Sequence, residues 1–254
     1  ILIVGLGVQG KKRIKYLKKK HSYVTVDTKN SRAEYNNIRK VPLNKYDTVF
    51  VCTPDDQKNR IINYCIKNKK NILVEKPLYF KKNDKIKNIE IEANKNKVKI
   101  YTAYNHRFEP HFINIKKIIK NKALGKIYYC NIYYGNGTAK LVKTEKWRDQ
   151  GLGVIKDIGS HLIDTIYFWF EKKFDFKLIT KCKFENKSPD HAILISRKKK
   201  PLIKLEMSMC RWKNYLNVEI IGSKGSLKLD SLCKWGPSTL TLYKRKLPSG
   251  LPSE

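Results

Sequence analysis

The sequence predicts an α/β chain in two halves: a parallel sheet covered by helices, then a strand-rich half built around one long helix. Three observations predict it. Short apolar runs alternate with amphipathic segments as far as about residue 104; one stretch, 151–170, winds as a helix with two contrasting faces; and after it come only short alternating segments separated by turn residues. A chain of 254 residues holds two ordinary domains, each with its own core, and the boundary is expected at 104/105.

The first half opens on the apolar run Ile1-Leu2-Ile3-Val4, then Gly5-Leu6-Gly7-Val8-Gln9-Gly10, then a basic amphipathic segment reaching Lys20. This reads as strand, glycine turn and helix. Gly5 permits the tight turn, Gly7 lets the backbone approach a pyrophosphate, and Gly10 lets helix and strand pack closely; Val8 and Gln9 begin the helix whose N-terminus faces the phosphates. Tyr23 to Val26 forms a second strand ending at Asp27, roughly twenty residues on, where an acidic side chain accepts from ribose hydroxyls. An NAD-type cofactor follows, and Lys29 and Arg32 just beyond keep NADP open. The buried run 46–52 ends in Thr53-Pro54, and after a helix at 61–68 the strand 71–74 delivers Glu75-Lys76-Pro77 to the same sheet edge. Loops at that edge line a cofactor crevice, so Thr53, Pro54, Glu75 and Lys76 join the cofactor set. The Lys76-Pro77 bond is a candidate for the cis form, which would set the direction of the lysine. This half is expected to be a Rossmann dinucleotide-binding domain.

A helix at 83–96 and a strand at 98–104 lead to the boundary. Pro110 opens a helix ending near Asn121, residues 126–134 alternate as a strand, and 135–137 turn. The segment up to Trp147-Arg148-Asp149 reads as a loop over the active site, with Trp147 and Arg148 either contacting substrate or packing beneath it. His106 and His111, five apart, have the wrong spacing for two ligands on one helical face, and no metal is expected. In the central helix Ile155, Ile158, Leu162, Ile166 and Trp169 share one face, and Asp157, His161 and Asp164 line up opposite. Taken alone, that is the ordinary polar stripe of an amphipathic helix, with Asp157 as a cap. Strands are expected at 176–184, 191–196, 202–210, 217–221 and 226–230. His191 reads as a strand residue without catalytic work. Residues 233–238 read as a loop whose Trp235 extends the substrate pocket or a subunit contact.

The glycine turn, the strand ending in Thr53-Pro54, Glu75-Lys76-Pro77, the stretch Tyr104 to Pro110, and Asp157-x-Gly159-x-His161-x-x-Asp164 stand in the order and spacing of one known family. The chain resembles the Gfo/Idh/MocA oxidoreductases, the family of glucose-fructose oxidoreductase and the inositol dehydrogenases. The likeness covers nearly the whole chain. It implies a Rossmann domain followed by a C-terminal α+β domain with a largely antiparallel open sheet. It further implies nicotinamide-dependent oxidation or reduction of a sugar, a sugar derivative, nucleotide-linked ones included, or a cyclitol. Lys76 is assigned to the nicotinamide and the reacting oxygen, with Asp157 and His161 as catalytic partners; Asn105 and Arg107 are expected on the substrate. The chemistry agrees, since oxidising a secondary alcohol needs a group of near-neutral proton affinity to take the hydroxyl proton, and an imidazole has it. The lysine ammonium stabilises the developing alkoxide without a metal. Subunit association into a dimer or tetramer through the uncovered face of the second sheet is also implied, because such a face is expected to be buried. Lys58 stands where the family often has a histidine, and Gly151-Leu152-Gly153 replaces three glycines. Ile1 begins inside the first strand and relatives usually continue past the position of Glu254, so an incomplete chain is expected.

The formal net charge of +33 invites a nucleic-acid reading. Of the 55 basic residues only nine are Arg, the lysines are spread along the chain, and no base-reading motif occurs. Drift toward Lys, Asn and Ile explains the charge at least as well. Six scattered cysteines without a C-x-x-C pair read as reduced thiols in a cytoplasm, and no apolar run approaches the roughly eighteen residues of a membrane span. The expected partner is therefore a small sugar-like molecule, with no nucleic acid and no membrane. Two other classes stay open: a cofactor-binding sensor or scaffold without catalysis, and a nucleic-acid binder.

Overall fold

The computed structural model describes residues 1–17, 21–78, 84–145, 148–197 and 200–247. The chain folds as two compact units, Ile1–Tyr104 and Asn105–Glu254.

The first unit contains β1 (Leu2–Val4), α1 (Val8–Leu17), β2 (Val24–Val26), β3 (Thr48–Val51), α2 (Asp55–Lys67), β4 (Asn71–Val74), α3 (Asp84–Lys95) and β5 (Ile100–Thr102). The five strands pair in parallel in the order β2-β1-β3-β4-β5. Leu2, Val49, Val51 and Val74 on one face and Ile3 on the other are shut away from water, which is why these strands read as continuous apolar runs. The chain leaves β1 toward β2 and returns on the other side at β3, so the order reverses between β1 and β3. At such a switch point the strand ends splay and open a crevice.

β5 is shorter than the strand expected at 98–104. Lys97 adopts a left-handed φ of 56° and the Val98 amide donates to Ala93 O at 2.8 Å, so the end of α3 takes backbone that would have begun the strand. α2 closes in the same way on Lys69 (φ 53°), with the Lys70 amide on Cys65 O. The Lys76-Pro77 bond is cis.

The second unit contains α4 (Pro110–Lys120), β6 (Ile127–Gly135), α5 (Ala139–Thr144), α6 (Ser160–Phe170), β7 (Phe176–Cys182), β8 (His191–Ser196), β9 (Leu202–Ser208), β10 (Tyr215–Gly222), β11 (Gly225–Asp230) and β12 (Thr239–Lys244). Their order is β12-β11-β10-β6-β9-β8-β7; β6 and β9 run parallel and every other pair antiparallel. α4, like α2 and α3, ends on a left-handed lysine, Lys122 (φ 53°). Phe112 and Ile115 of α4 join Leu162, Ile166 and Trp169 of α6 in one core with Ile132, Leu205 and Val218 of the sheet. Trp169 anchors this layer: its indole stands edge-on to Phe112 at 5.0 Å, and Nε1 donates to Phe112 O at 3.0 Å.

Three expectations are corrected here. The central helix does not begin as an α-helix: Ile155–Gly159 is a π-helical turn running into α6. Gly153 (φ 47°) lies where a Cβ would sit 2.1 Å from Pro189 O, and the Val154 amide donates to that same carbonyl, so a contact distant in sequence sets the entry angle. The segment before Arg148 is not all loop, because Ala139 and Val142 bury one face of α5 while the Asn136 side chain accepts from the Thr138 amide and hydroxyl. β12 was not anticipated, although Thr239-Leu240-Thr241-Leu242 alternates as an edge strand should. The sheet face away from α4 and α6 carries ion pairs Lys204–Glu206 at 2.9 Å and Lys228–Asp230 at 3.2 Å, and Arg211 over the rings of Tyr133 and Tyr215. Such a face tolerates water. Among the described residues no helix is long and apolar enough to cross a membrane.

Candidate active site

In the first unit the site is built on the glycine turn after β1. Gly5 has a φ of 97°, and a Cβ there would meet Cys52 O at 2.8 Å. Gly10 is tighter still, with its Cβ position 2.0 Å from Gly5 O. Gly7 differs from both, since nothing lies within 4 Å of its Cβ position, and Val8 and Gln9 beside it are exposed at the start of α1. The turn thus presents an open backbone at a helix N-terminus, the arrangement that receives a phosphate.

Asp27, at the end of β2, is bound into this turn. Its Oδ2 accepts from the Leu6 amide at 2.7 Å, and Oδ1 accepts from Lys29 at 2.8 Å and Asn30 at 3.0 Å. Burial alone would raise its pKa, but the three amides outweigh burial and hold it below the usual value. A carboxylate offers about four lone-pair sites, so one remains for a ligand hydroxyl. The linkage has a definite sign. A depressed folded pKa contributes stability above the unfolded value of about 3.9, and that contribution is lost as pH falls through the lower, folded value. Urea midpoints measured from pH 6 down to pH 2.5 are therefore expected to fall more steeply for the wild type than for Asp27→Asn; parallel curves would deny the carboxylate this role.

Thr53 follows β3 at the same edge. Its methyl lies 3.2 Å from the Cβ position of Gly5, and its buried Oγ1 has no hydrogen-bond partner among the described residues. Pro54 caps α2. Cys52 beside them stays a thiol, because burial and then the Glu75 charge push it up to about 12. Glu75, expected on the cofactor, gives one carboxylate oxygen to Arg13 of α1, with Oε1 2.7 Å from Nη2 and 3.0 Å from Nε. Lys76 is half-buried at the carboxyl end of β4. Lys58, which sequence reasoning set aside, is buried, and its Nζ donates to Asp55 Oδ1, Glu75 O and Pro77 O.

In the second unit His161 lies half-buried on the first turn of α6 and stacks on His106, ring centroids 4.5 Å apart and planes at 26°. His106 is itself buried, stacked on Tyr134 at 5.7 Å and edge-on to Phe112 at 5.4 Å. The Tyr134 hydroxyl is pushed above its usual range by burial and then by the charge of Asp157. Asp157, on the π-turn, is 3.3 Å from Nη2 of Arg148, and Arg148 also reaches Glu145 at 3.6 Å. Next to it, Asp149 accepts from the Ser188 amide and hydroxyl and from the Lys187 amide, which pins the segment carrying Arg148. Gly159 lets the π-turn approach β9, since a Cβ there would meet Met207 Sδ at 2.8 Å. Such π-turns are common at functional sites.

Arg107 was expected on the substrate. The structure pairs it with Asp164, Nε–Oδ2 2.9 Å and Nη2–Oδ1 2.5 Å, a two-pronged bridge between the helical turn Asn105–Phe108 and α6. Asp164 is therefore a strut, not a solvated residue of a polar stripe. Asn105 is exposed, and Trp147 lies outside the described residues. Trp235 packs edge-on to Tyr134 at 5.5 Å, against the second core. Sequence reasoning missed Arg13, Lys58 and Tyr134, and weighed His106 only as a metal ligand. Among the described residues no cluster of three or more His, Cys, Asp or Glu side chains is placed to hold a metal ion.

A parallel sheet with its switch point at β1/β3, an open glycine turn, a carboxylate at the end of β2 and an unpartnered threonine hydroxyl fit a dinucleotide, and define an α/β nucleotide-binding protein. Comparison with known proteins takes this further. The description "Oxidoreductase family, NAD-binding Rossmann fold" matches residues 1–104, and "GFO/IDH/MocA C-terminal domain" matches residues 112–228. The chain belongs to the GFO/IDH/MocA family of NAD-binding oxidoreductases.

Among curated proteins it is similar to myo-inositol 2-dehydrogenase of Thermotoga maritima, 33% identical over 34% of this chain and 25% of that protein. It is also similar to trans-1,2-dihydrobenzene-1,2-diol dehydrogenase of Xenopus laevis, 21% identical over 86% of this chain and 65% of that protein. The matches thus span from a quarter to just under two thirds of these relatives' length. Two solved structures share the fold. They are an NAD binding oxidoreductase from Klebsiella pneumoniae (TM-score 0.80, 17% identity, 97% of this chain and 76% of that one) and the WlbA dehydrogenase from Bordetella pertussis in complex with NADH and UDP-GlcNAcA (TM-score 0.79, 14% identity, 97% and 82%).

Proposed function

We propose that this protein transfers a hydride between NAD(H) and a secondary alcohol or ketone of a sugar, a sugar derivative, including nucleotide-linked ones, or a cyclitol. The observation that carries the reading is Lys76: an ammonium-bearing side chain at the carboxyl end of β4, in the same row of strand ends as the glycine turn and Thr53. Bound NAD supplies the hydride acceptor at its nicotinamide. The rest is done by the chain. Gly7, Val8, Gln9 and Thr53 hold the diphosphate and neighbouring groups, and the remaining lone pair of Asp27 takes a ribose hydroxyl. That fixed negative charge disfavours a 2′-phosphate, so NAD is the preferred form, with Lys29 and Arg32 leaving NADP as the second ligand to test.

His161 takes the hydroxyl proton at its imidazole, and its stacked neighbour His106 sets the plane of the ring. Lys76 stabilises the developing alkoxide. Asp157, held by Arg148, orients the imidazole or a neighbouring substrate hydroxyl, and Arg148 and Asn105 supply polar contacts to the substrate.

A reducing cytoplasm suits six free cysteines. Association of two or four copies through the polar and aromatic face of the second sheet suits its mix of tyrosines and ion pairs; sedimentation tests it. The function itself is tested by titrating NADH fluorescence, then screening sugars and cyclitols for a change at the nicotinamide absorbance, with a salt series for DNA retention alongside. Cofactor binding with turnover of a polyol is expected. Salt-steep DNA binding without a cofactor signal would overturn the proposal.

A further inference from the structure

We propose that Lys58 is a positioning residue for Lys76, its buried ammonium fixing the main chain on both sides of that lysine. The inference rests on the reading of Lys76 as the group that meets the reacting oxygen.

Among the described residues Lys58 is the one buried lysine, 3% exposed where the other described lysines are partly or fully exposed. A buried charge persists only where it is paired and hydrogen-bonded. Here Asp55 supplies the counter-charge at 2.7 Å, one helical turn away on α2. The other two acceptors are Glu75 O at 2.6 Å and Pro77 O at 2.9 Å. These carbonyls belong to the residues directly before and after Lys76. An ammonium carries three donors, and among the described residues these three acceptors stand around this one.

The segment has further supports. The Glu75 amide donates to Val51 O at 3.0 Å, and Arg13 holds the Glu75 carboxylate. Both act on Glu75 alone, and of these three supports only Lys58 reaches both sides of Lys76. A lysine side chain has a flexible four-carbon stem, so the placement of its ammonium depends on where the backbone holds its Cα. Misplacing a reacting group by about 1 Å can cost on the order of 10²-fold in rate.

The test uses the full chain with Lys58→Met, Lys76→Met and the double variant. Amide hydrogen exchange read by mass spectrometry needs no substrate. The amides of Glu75 and Lys76 are expected to exchange about tenfold faster or more in Lys58→Met, with β1 and α1 unchanged. In turnover, Lys58→Met is expected to lower kcat roughly 10- to 100-fold while KM and NADH affinity stay within about twofold. The double variant should be no slower than Lys76→Met, because the first residue acts through the second. Unchanged exchange at Glu75 and Lys76, or losses that multiply in the double variant, would overturn the proposal. Where Lys58→Met does not fold, Lys58→Gln, which keeps a donor, is read by the same two criteria. Where no polyol turns over, the exchange result still decides the role of Lys58, and the failure falls on the proposed function alone.

Discussion

Replacing His161 by Ala is expected to lower turnover by about 10²- to 10⁴-fold, the usual range for losing a general acid–base group. NADH affinity should stay within about twofold, because every residue proposed to hold the nucleotide lies in Ile1–Tyr104. The fold should survive, since His161 is half-buried on a helix fixed from its other side by Leu162, Ile166 and Trp169. The quantities to measure are kcat, KM, the NADH dissociation constant and the melting temperature. A parallel fall in kcat and kcat/KM at constant affinity marks an interaction made only in the transition state. Unchanged turnover would remove His161 from the mechanism, and a collapse in melting temperature would reassign its stacking on His106 to stability.

The glycine turn gives the second large effect, and two substitutions separate folding from binding. In Gly10→Ala the new methyl would stand 2.0 Å from Gly5 O and 3.0 Å from Gly5 C, both backbone atoms that cannot swing aside. Ala is better than Gly inside a helix by about 1 kcal/mol, but overpacking of this kind costs about 1–3 kcal/mol or more, so a net loss of stability is expected. Gly7→Ala meets no protein atom within 4 Å, and its melting temperature should hold. Its methyl instead occupies the approach to the turn. Losing one charge-assisted hydrogen bond to a phosphate costs about 1.5–3 kcal/mol, or roughly 10- to 100-fold in NADH affinity. Calorimetry and NADH titration on both variants check this. Full NADH affinity in Gly7→Ala would place the diphosphate elsewhere.

The glycine turn was legible because its signals are local. Strands buried on both faces read as unbroken apolar runs, and three glycines at fixed spacing declare a turn, an open backbone and a close contact by residue type alone. The stretch Asp157 to Asp164 was legible as a buried stripe backing a polar one. What stayed hidden depends on partners far along the chain. Arg107 and Asp164, 57 residues apart, give no sign of bridging each other. The π-turn follows directly on Gly153, which packs against Pro189, and periodicity registers neither. Lys58 reads in the sequence only as a departure from the family's histidine, and nothing local to it declares the three oxygens within 2.9 Å that hold it inside.

Three helices finish on lysines in the left-handed conformation, Lys69, Lys97 and Lys122, where glycine is the common choice. Each sets a cation beside the carbonyl end of a peptide macrodipole, an attraction worth about 0.3–1 kcal/mol that offsets part of the steric cost of the backbone angle. The attraction is local to each helix end and leaves the formal charge of +33 as it stands. Glycine at any of the three would relieve the backbone angle and forfeit that attraction, so the exchange largely offsets itself.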